Sequence, residues 1–182
     1  MNKLNLNAIA LAVGLACSAG AMAQSMSKDE YTSAKDGIAA NYKTAKAACD
    51  SFAANAKDIC RAEASGNEAI ASAELEARYK PSEDAYYKVR VARAEADYAV
   101  AMERCDNRAG NVKDVCVKEA KAAQVAAKAD AKAQMKTADA RKDAASDKRD
   151  ADYAVAKEKC DAFAGETKNN CMNDAKARFG KS

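Results

Sequence analysis

Apolar residues recur along this chain at helical spacing. Ile38, Tyr42, Ala45, Cys49 and Phe52 fall at i, i+4, i+7, i+11 and i+14, which is the seam of a helix packed on a partner. Tyr153, Ala156, Cys160 and Phe163 repeat the stripe, and Tyr98, Ala101, Cys105 and Arg108 repeat it with a charge in the last place. The breaks between stripes place the elements. Ser27 suits the N-cap of a first helix running to about Ala53. A second helix is expected from about Ala56 to Tyr79, with Gly66 a point of weakness in its interior. Tyr79-Lys80-Pro81-Ser82 reads as a turn, because proline disfavours a helical residue before it, and Pro81 or Ser82 opens a third helix toward Ala109. From Val112 to about Ala164 there is neither glycine nor proline, which predicts a fourth helix about 80 Å long. A short fifth helix follows, from about Thr167 to Arg178.

The middle of the fourth helix, Lys118 to Arg149, is mostly Ala, Lys, Asp and Arg, with Val125 and Met135 as its few apolar anchors. It reads as a solvated helical shaft. The alternatives are a partly frayed linker, or a bend that packs its first half on the third helix.

Superimposed on the stripes is a motif that occurs three times, C-D-x-x-A-x-x-x-K-x-x-C. The copies run from Cys49-Asp50 to Cys60, Cys105-Asp106 to Cys116 and Cys160-Asp161 to Cys171, with Ala53, Ala109 and Ala164 at the fifth position and Lys57, Lys113 and Lys168 at the ninth. Successive copies are offset by 56 and 55 residues, so the chain is a diverged array of one unit. On one uninterrupted helix, cysteines eleven apart would stand about 16 Å apart along the axis, far beyond disulfide reach. If the chain reverses between them, they face each other on antiparallel helices. Gly110-Asn111 supports a reversal in the second motif, glycine taking a left-handed position after one helix and asparagine capping the next; Gly165 holds the equivalent place in the third. In the first motif Ala54-Asn55 does the same work, with Asn55 the residue expected to take the positive φ. Each motif therefore predicts a helical hairpin tip clasped by its own disulfide: Cys49–Cys60, Cys105–Cys116 and Cys160–Cys171. The aspartates Asp50, Asp106 and Asp161 lie near a helix C-terminus, where the dipole disfavours them, and their recurrence suggests a turn-stabilising bond.

Composition agrees with long helices and a thin core. Alanine is about a quarter of the chain, and Leu75 is the only leucine after the first 23 residues. Residues 1–23 read as a signal peptide: a basic start at Lys3, an apolar run from Ala8 to Leu15, and Ala21-Met22-Ala23 before the cleavage point. Leu15 stands one position too close to Cys17 for lipid attachment. Cleavage leaves six cysteines, all inside the motifs, which favours three disulfides in an oxidising compartment, the periplasm first. It also leaves 29 basic and 27 acidic residues, a balance that argues against a nucleic-acid surface, and no later stretch is apolar enough for a membrane span. The expected organisation is all-α and elongated. Residues 24–109 would form a three-helix antiparallel unit with turns near 54–55 and 80–82, and residues 110–182 a long helix with a short return helix.

The run Lys118-Glu119-Ala120-Lys121-Ala122-Ala123, continued through Ala126-Ala127-Lys128-Ala129-Asp130-Ala131-Lys132-Ala133, resembles the low-complexity helical stretch of TolA-type cell-envelope proteins. The likeness is compositional and implies an envelope-associated helical protein. It carries over no functional residue, membrane anchor or partner-binding domain.

Chemical motifs are scarce. Histidine is absent, which excludes hydrolase triads and zinc sites of the Cys/His type, and no phosphate-binding glycine loop occurs. The expectation is a non-enzyme with no cofactor. Ten residues between paired cysteines suit a structural clasp better than the close spacing of redox sites, although two facing thiolates would hold Cu(I) or zinc if reduced. Tyr42, Tyr98 and Tyr153 are expected in the seams, and Tyr79, Tyr86 and Tyr87 near the Pro81 turn are the candidate aromatic patch. Three functions follow: an envelope structural or interaction protein, a periplasmic chaperone or protectant that covers unfolded clients, or thiol-linked metal sequestration. The oligomeric state stays open, since the alanine stripes that zip a hairpin also suit two chains.

Overall fold

The computed structural model describes residues 26–181. The expected signal peptide, with Cys17, lies outside the described residues. Five α-helices follow one another: α1 (Lys28–Ala48), α2 (Ala54–Tyr79), α3 (Glu83–Cys105), α4 (Gly110–Cys160) and α5 (Gly165–Phe179), with a 3-10 turn at Cys49–Ser51. Among the described residues there is no strand, and no helix is long and apolar enough to cross a membrane.

Local chemistry sets the ends. Ser27 caps α1 through a reciprocal capping box with Glu30, Ser82 caps α3 by accepting from the Ala85 amide, and Gly180 closes α5 in the left-handed conformation. At all three motifs the preceding helix stops earlier than the apolar stripe implied. Phe52 and Phe163 are 52% and 48% exposed, because each lies beyond its helix and off the seam. The tyrosines Tyr42, Tyr98 and Tyr153 are half-buried, as seam residues.

Among the described residues each helix packs only on its neighbours in sequence: α1 on α2, α2 on α3, α3 on α4, and the far end of α4 on α5. The result is an antiparallel ribbon, one helix thick, whose core is a line of small side chains. Leu75, Cys49, Cys105 and Cys160 are its largest fully buried side chains, joined by Ala64, Ala77, Ala94, Ala120, Ala131 and Ala175. Cross-helix ties border the seams: Arg104 with Glu63 and Arg93 with Glu74 between α2 and α3, and Lys128 with Glu95 at 2.7 Å between α3 and α4.

Gly66 corrects the expectation of a weak point. It is buried against α3, where a Cβ added to it would come within 2.6 Å of the Ala96 Cβ, so it allows a close approach of the two helices. The segment Lys118–Arg149 is helical throughout, not frayed. Ala120, Gln124 and Ala131 face α3 from its first half, while almost every residue from 140 to 149 is exposed.

Candidate functional site

The three clasped tips are the most regular chemistry in the molecule. In each, the amide two residues after the aspartate donates back to the leading cysteine carbonyl: Phe52 to Cys49 at 3.1 Å, Arg108 to Cys105 at 2.9 Å, Phe163 to Cys160 at 3.1 Å. The motif alanine then takes extended backbone as the N-cap of the next helix, with φ of −122°, −133° and −129° at Ala53, Ala109 and Ala164. The residue after it is left-handed: Ala54 at φ 49°, Gly110 at 55° and Gly165 at 56°. Reversal thus takes one extended and one left-handed residue in succession.

Two details of the expected turn are corrected here. The left-handed residue opens the second helix and does not close the first, so Ala109 holds the N-cap expected of Asn111. In the first motif Ala54 carries the positive φ, while Asn55 spends its side chain elsewhere.

The reversal brings the paired cysteines to equal height. Cα atoms stand 5.6, 5.7 and 5.6 Å apart in Cys49–Cys60, Cys105–Cys116 and Cys160–Cys171, within ordinary disulfide range. The leading cysteine of each pair is buried, with 0–1% of its surface exposed. All six motif sulfurs are bonded in pairs, which leaves no thiolate at the tips to act as nucleophile or ligand.

Each motif aspartate meets the lysine seven residues on: Asp50 with Lys57 at 2.9 Å, Asp106 with Lys113 at 2.8 Å, Asp161 with Lys168 at 2.7 Å. The pair links the end of one helix to the start of the next beside the disulfide. Hydrogen bonds from Lys57 and Lys168 hold the Asp50 and Asp161 carboxyls below the usual carboxylate range, and the Asp106 carboxylate raises Lys113. Arg61 adds a second contact to Asp50 at 3.1 Å.

Tips one and two stand side by side. Asn55 donates to the Glu103 carbonyl at 2.7 Å, and Asn107 donates to the Asn55 side-chain oxygen at 2.6 Å. The third tip lies at the far end of α4. At the opposite end of the first hairpin, Tyr31 stacks on Tyr79 with ring centroids 4.4 Å apart and its hydroxyl donates to Glu76, while Tyr86 is 43% exposed. Of the tyrosines expected at the Pro81 turn, Tyr79 is thus engaged by α1.

The ribbon carries shallow grooves. One, of about 660 Å³, is lined in part by Glu63, Asp97, Val100, Arg104 and Arg108, with the Glu63–Arg104 ion pair on its wall. Two smaller grooves are copies of one another: the eight residues lining the α1/α2 groove map onto the eight lining the α3/α4 groove by a shift of 56. Ile38 becomes Ala94, Tyr42 becomes Tyr98, Ala64 becomes Ala120 and Glu68 becomes Gln124. The unit that repeats is therefore the whole hairpin.

No protein family, curated protein or solved structure matches this chain. The fold and its tips define an all-α array of disulfide-clasped hairpins.

Sequence reasoning found all six cysteines and the tyrosines of the seams. It placed Asn55 in the first turn but missed its bond with Asn107; the two lie 52 residues apart and meet because both tips share one end of the ribbon. The recurring aspartate and lysine were visible as a pattern; their pairing required the reversal.

Proposed function

We propose that this is a non-enzymatic, exported helical protein of the cell envelope, acting as a spacer or protein-interaction scaffold in the periplasm. The observation that carries the reading is the placement of the tips, two adjacent at one end and the third beyond a 51-residue helix roughly 75 Å long. Such a molecule presents bonding points at a fixed separation. The exposed Phe52 and Phe163 give the first and third tips an apolar knob beside an ion pair, and Arg108 gives the second a charge. Three disulfides favour an oxidising compartment, and the likeness of residues 118–133 to TolA-type helical stretches favours the envelope.

The test is site-specific photo-crosslinking in the producing cell, with the crosslinker at position 52, 163 or, as control, the exposed α4 position 141. Capture of a defined envelope protein from the tips and not from 141 supports the scaffold. Recovery of the protein from the cytoplasm with free thiols would overturn it.

The second reading, a chaperone or protectant, is favoured by the apolar side chains left on the surface, Val112, Val115, Val125 and Val155 among them. It predicts suppression of aggregation of a denatured client at stoichiometric ratio. Thiol-linked metal binding requires the clasps to be reduced first, and metal analysis of protein purified without reductant decides it.

A further inference from the structure

The first two repeats are joined by the turn at Lys80–Ser82, which lets α2 fold back on α3. The second and third repeats have no such turn. Shifts of 56 and 55 residues place Thr137 and Lys136 where Pro81 stood, and α4 runs straight through both. The α2 face that packs on α3 through Ala62, Ser65, Gly66 and Ala69 therefore recurs in the first half of α4 as Lys118, Lys121, Ala122 and Val125. Its complement on α3, Ala92, Glu95, Ala96 and Ala99, recurs in the second half as Asp147, Asp150, Ala151 and Ala154. Two halves of one unbroken helix cannot pack on each other, and all eight residues are exposed.

We propose that a second copy of this chain covers that face, the two α4 helices packing antiparallel about a two-fold axis near residue 138. The two halves are in phase for this. Ala122 and Ala151 are 29 residues apart, about eight turns, so they lie on one side of α4, and Ala120, Gln124 and Ala131 face α3 from the opposite side. Each half of one helix then meets the other half of its mate, as α2 meets α3 within the chain.

The charges match in that register. Glu63–Arg104 maps to Glu119 with Lys159 of the second copy, and Glu74–Arg93 maps to Asp130 with Lys148 of the second copy. Two-fold symmetry forms each pair twice. Val125 and Val155, 56% and 54% exposed in the single chain, come under cover; Val155 is the counterpart of Val100, which lines the groove beside Glu63 and Gly66. Where Gly66 meets Ala96 the dimer sets Ala122 against Ala151, so its axes stand further apart than those of α2 and α3. Val125 in place of Ala69 and the Lys118 stem in place of Ala62 fill the added width.

Analytical ultracentrifugation of the disulfide-intact protein tests this. The expected result is twice the chain mass, reduced to the single-chain mass by Ala151→Glu or Val125→Glu with the helical spectrum unchanged. Lys148→Glu is expected to weaken the dimer about tenfold, since two surface pairs are reversed at once. Adding Asp130→Lys should restore it. A wild-type monomer at high micromolar concentration overturns the proposal, as does a dimer that survives both glutamate substitutions or a Lys148→Glu defect that Asp130→Lys does not repair.

Discussion

Each lettered position of the repeated motif has a separate physical task. The cysteines join two helices; the alanine takes extended backbone as the N-cap of the second helix; the aspartate and lysine close an ion pair over the turn. Asp50, Asp106 and Asp161 sit where the helix dipole disfavours a negative charge, and the lysine from the following helix offsets it. The sign of the pH effect follows. Asp50 and Asp161 ionise below their ordinary range, so they stabilise the fold above about pH 4 and lose that contribution as acid protonates them through the depressed folded value. Thermal melts across about pH 5 to pH 2 should show a smaller acid loss for Asp50→Asn/Asp161→Asn than for the native chain. The left-handed position gives a sharper test. Ala54 holds φ 49° where the other motifs have glycine, so Ala54→Gly should raise stability by about 1 kcal/mol, while Gly110→Ala and Gly165→Ala should each lower it by about 1–2 kcal/mol, read by denaturant titration. Space is free around both glycines, so that loss measures backbone strain alone. The motif itself was fully visible in the sequence, as were the left-handed glycines Gly110 and Gly165; the left-handed residue of the first motif was not, because asparagine's local preference was outweighed by its bond to the neighbouring tip.

Helices here are held by proximity more than by bulk. Where side chains are mostly alanine, close approach of axes supplies the contact that larger side chains would otherwise give, and Gly66 marks one such close approach. Two glycines in helix interiors therefore respond in opposite ways. Gly37 has nothing within 4 Å of an added Cβ, so Gly37→Ala should stabilise α1 by up to about 1 kcal/mol. Gly66→Ala gains the same propensity but drives its Cβ into Ala96, a clash that costs about 1–3 kcal/mol and should leave the variant less stable than the native chain. Chemical denaturation of the pair checks both. The five helices and the turn at Pro81 were legible because proline, glycine and the apolar stripes are local signals. The role of Gly66 was not, since it depends on α3 lying across it, and the stripe alone extended the helices past their ends into Phe52 and Phe163.

At the scale of the whole molecule, a ribbon one helix thick buries little per residue and depends on its covalent ties. Each clasp closes a loop of about a dozen residues and contributes about 3 kcal/mol by restricting the unfolded chain. Removing the Cys105–Cys116 clasp with a double serine substitution should therefore cost about 2–4 kcal/mol, read as a shift in the denaturation midpoint. The path of the chain was legible at this scale through the repeat of 56 and 55 residues and the turn at Pro81, but the bonds that tie tip one to tip two were not, because Asn55 and Asn107 lie 52 residues apart in sequence. The claim beneath all of this is that each motif reverses and bonds to itself. Peptide mapping of the native protein by mass spectrometry, without reductant, tests it directly. The account predicts three linked peptide pairs, joining Cys49 to Cys60, Cys105 to Cys116 and Cys160 to Cys171. Free thiols in the native protein, or bridges running between motifs, would contradict it.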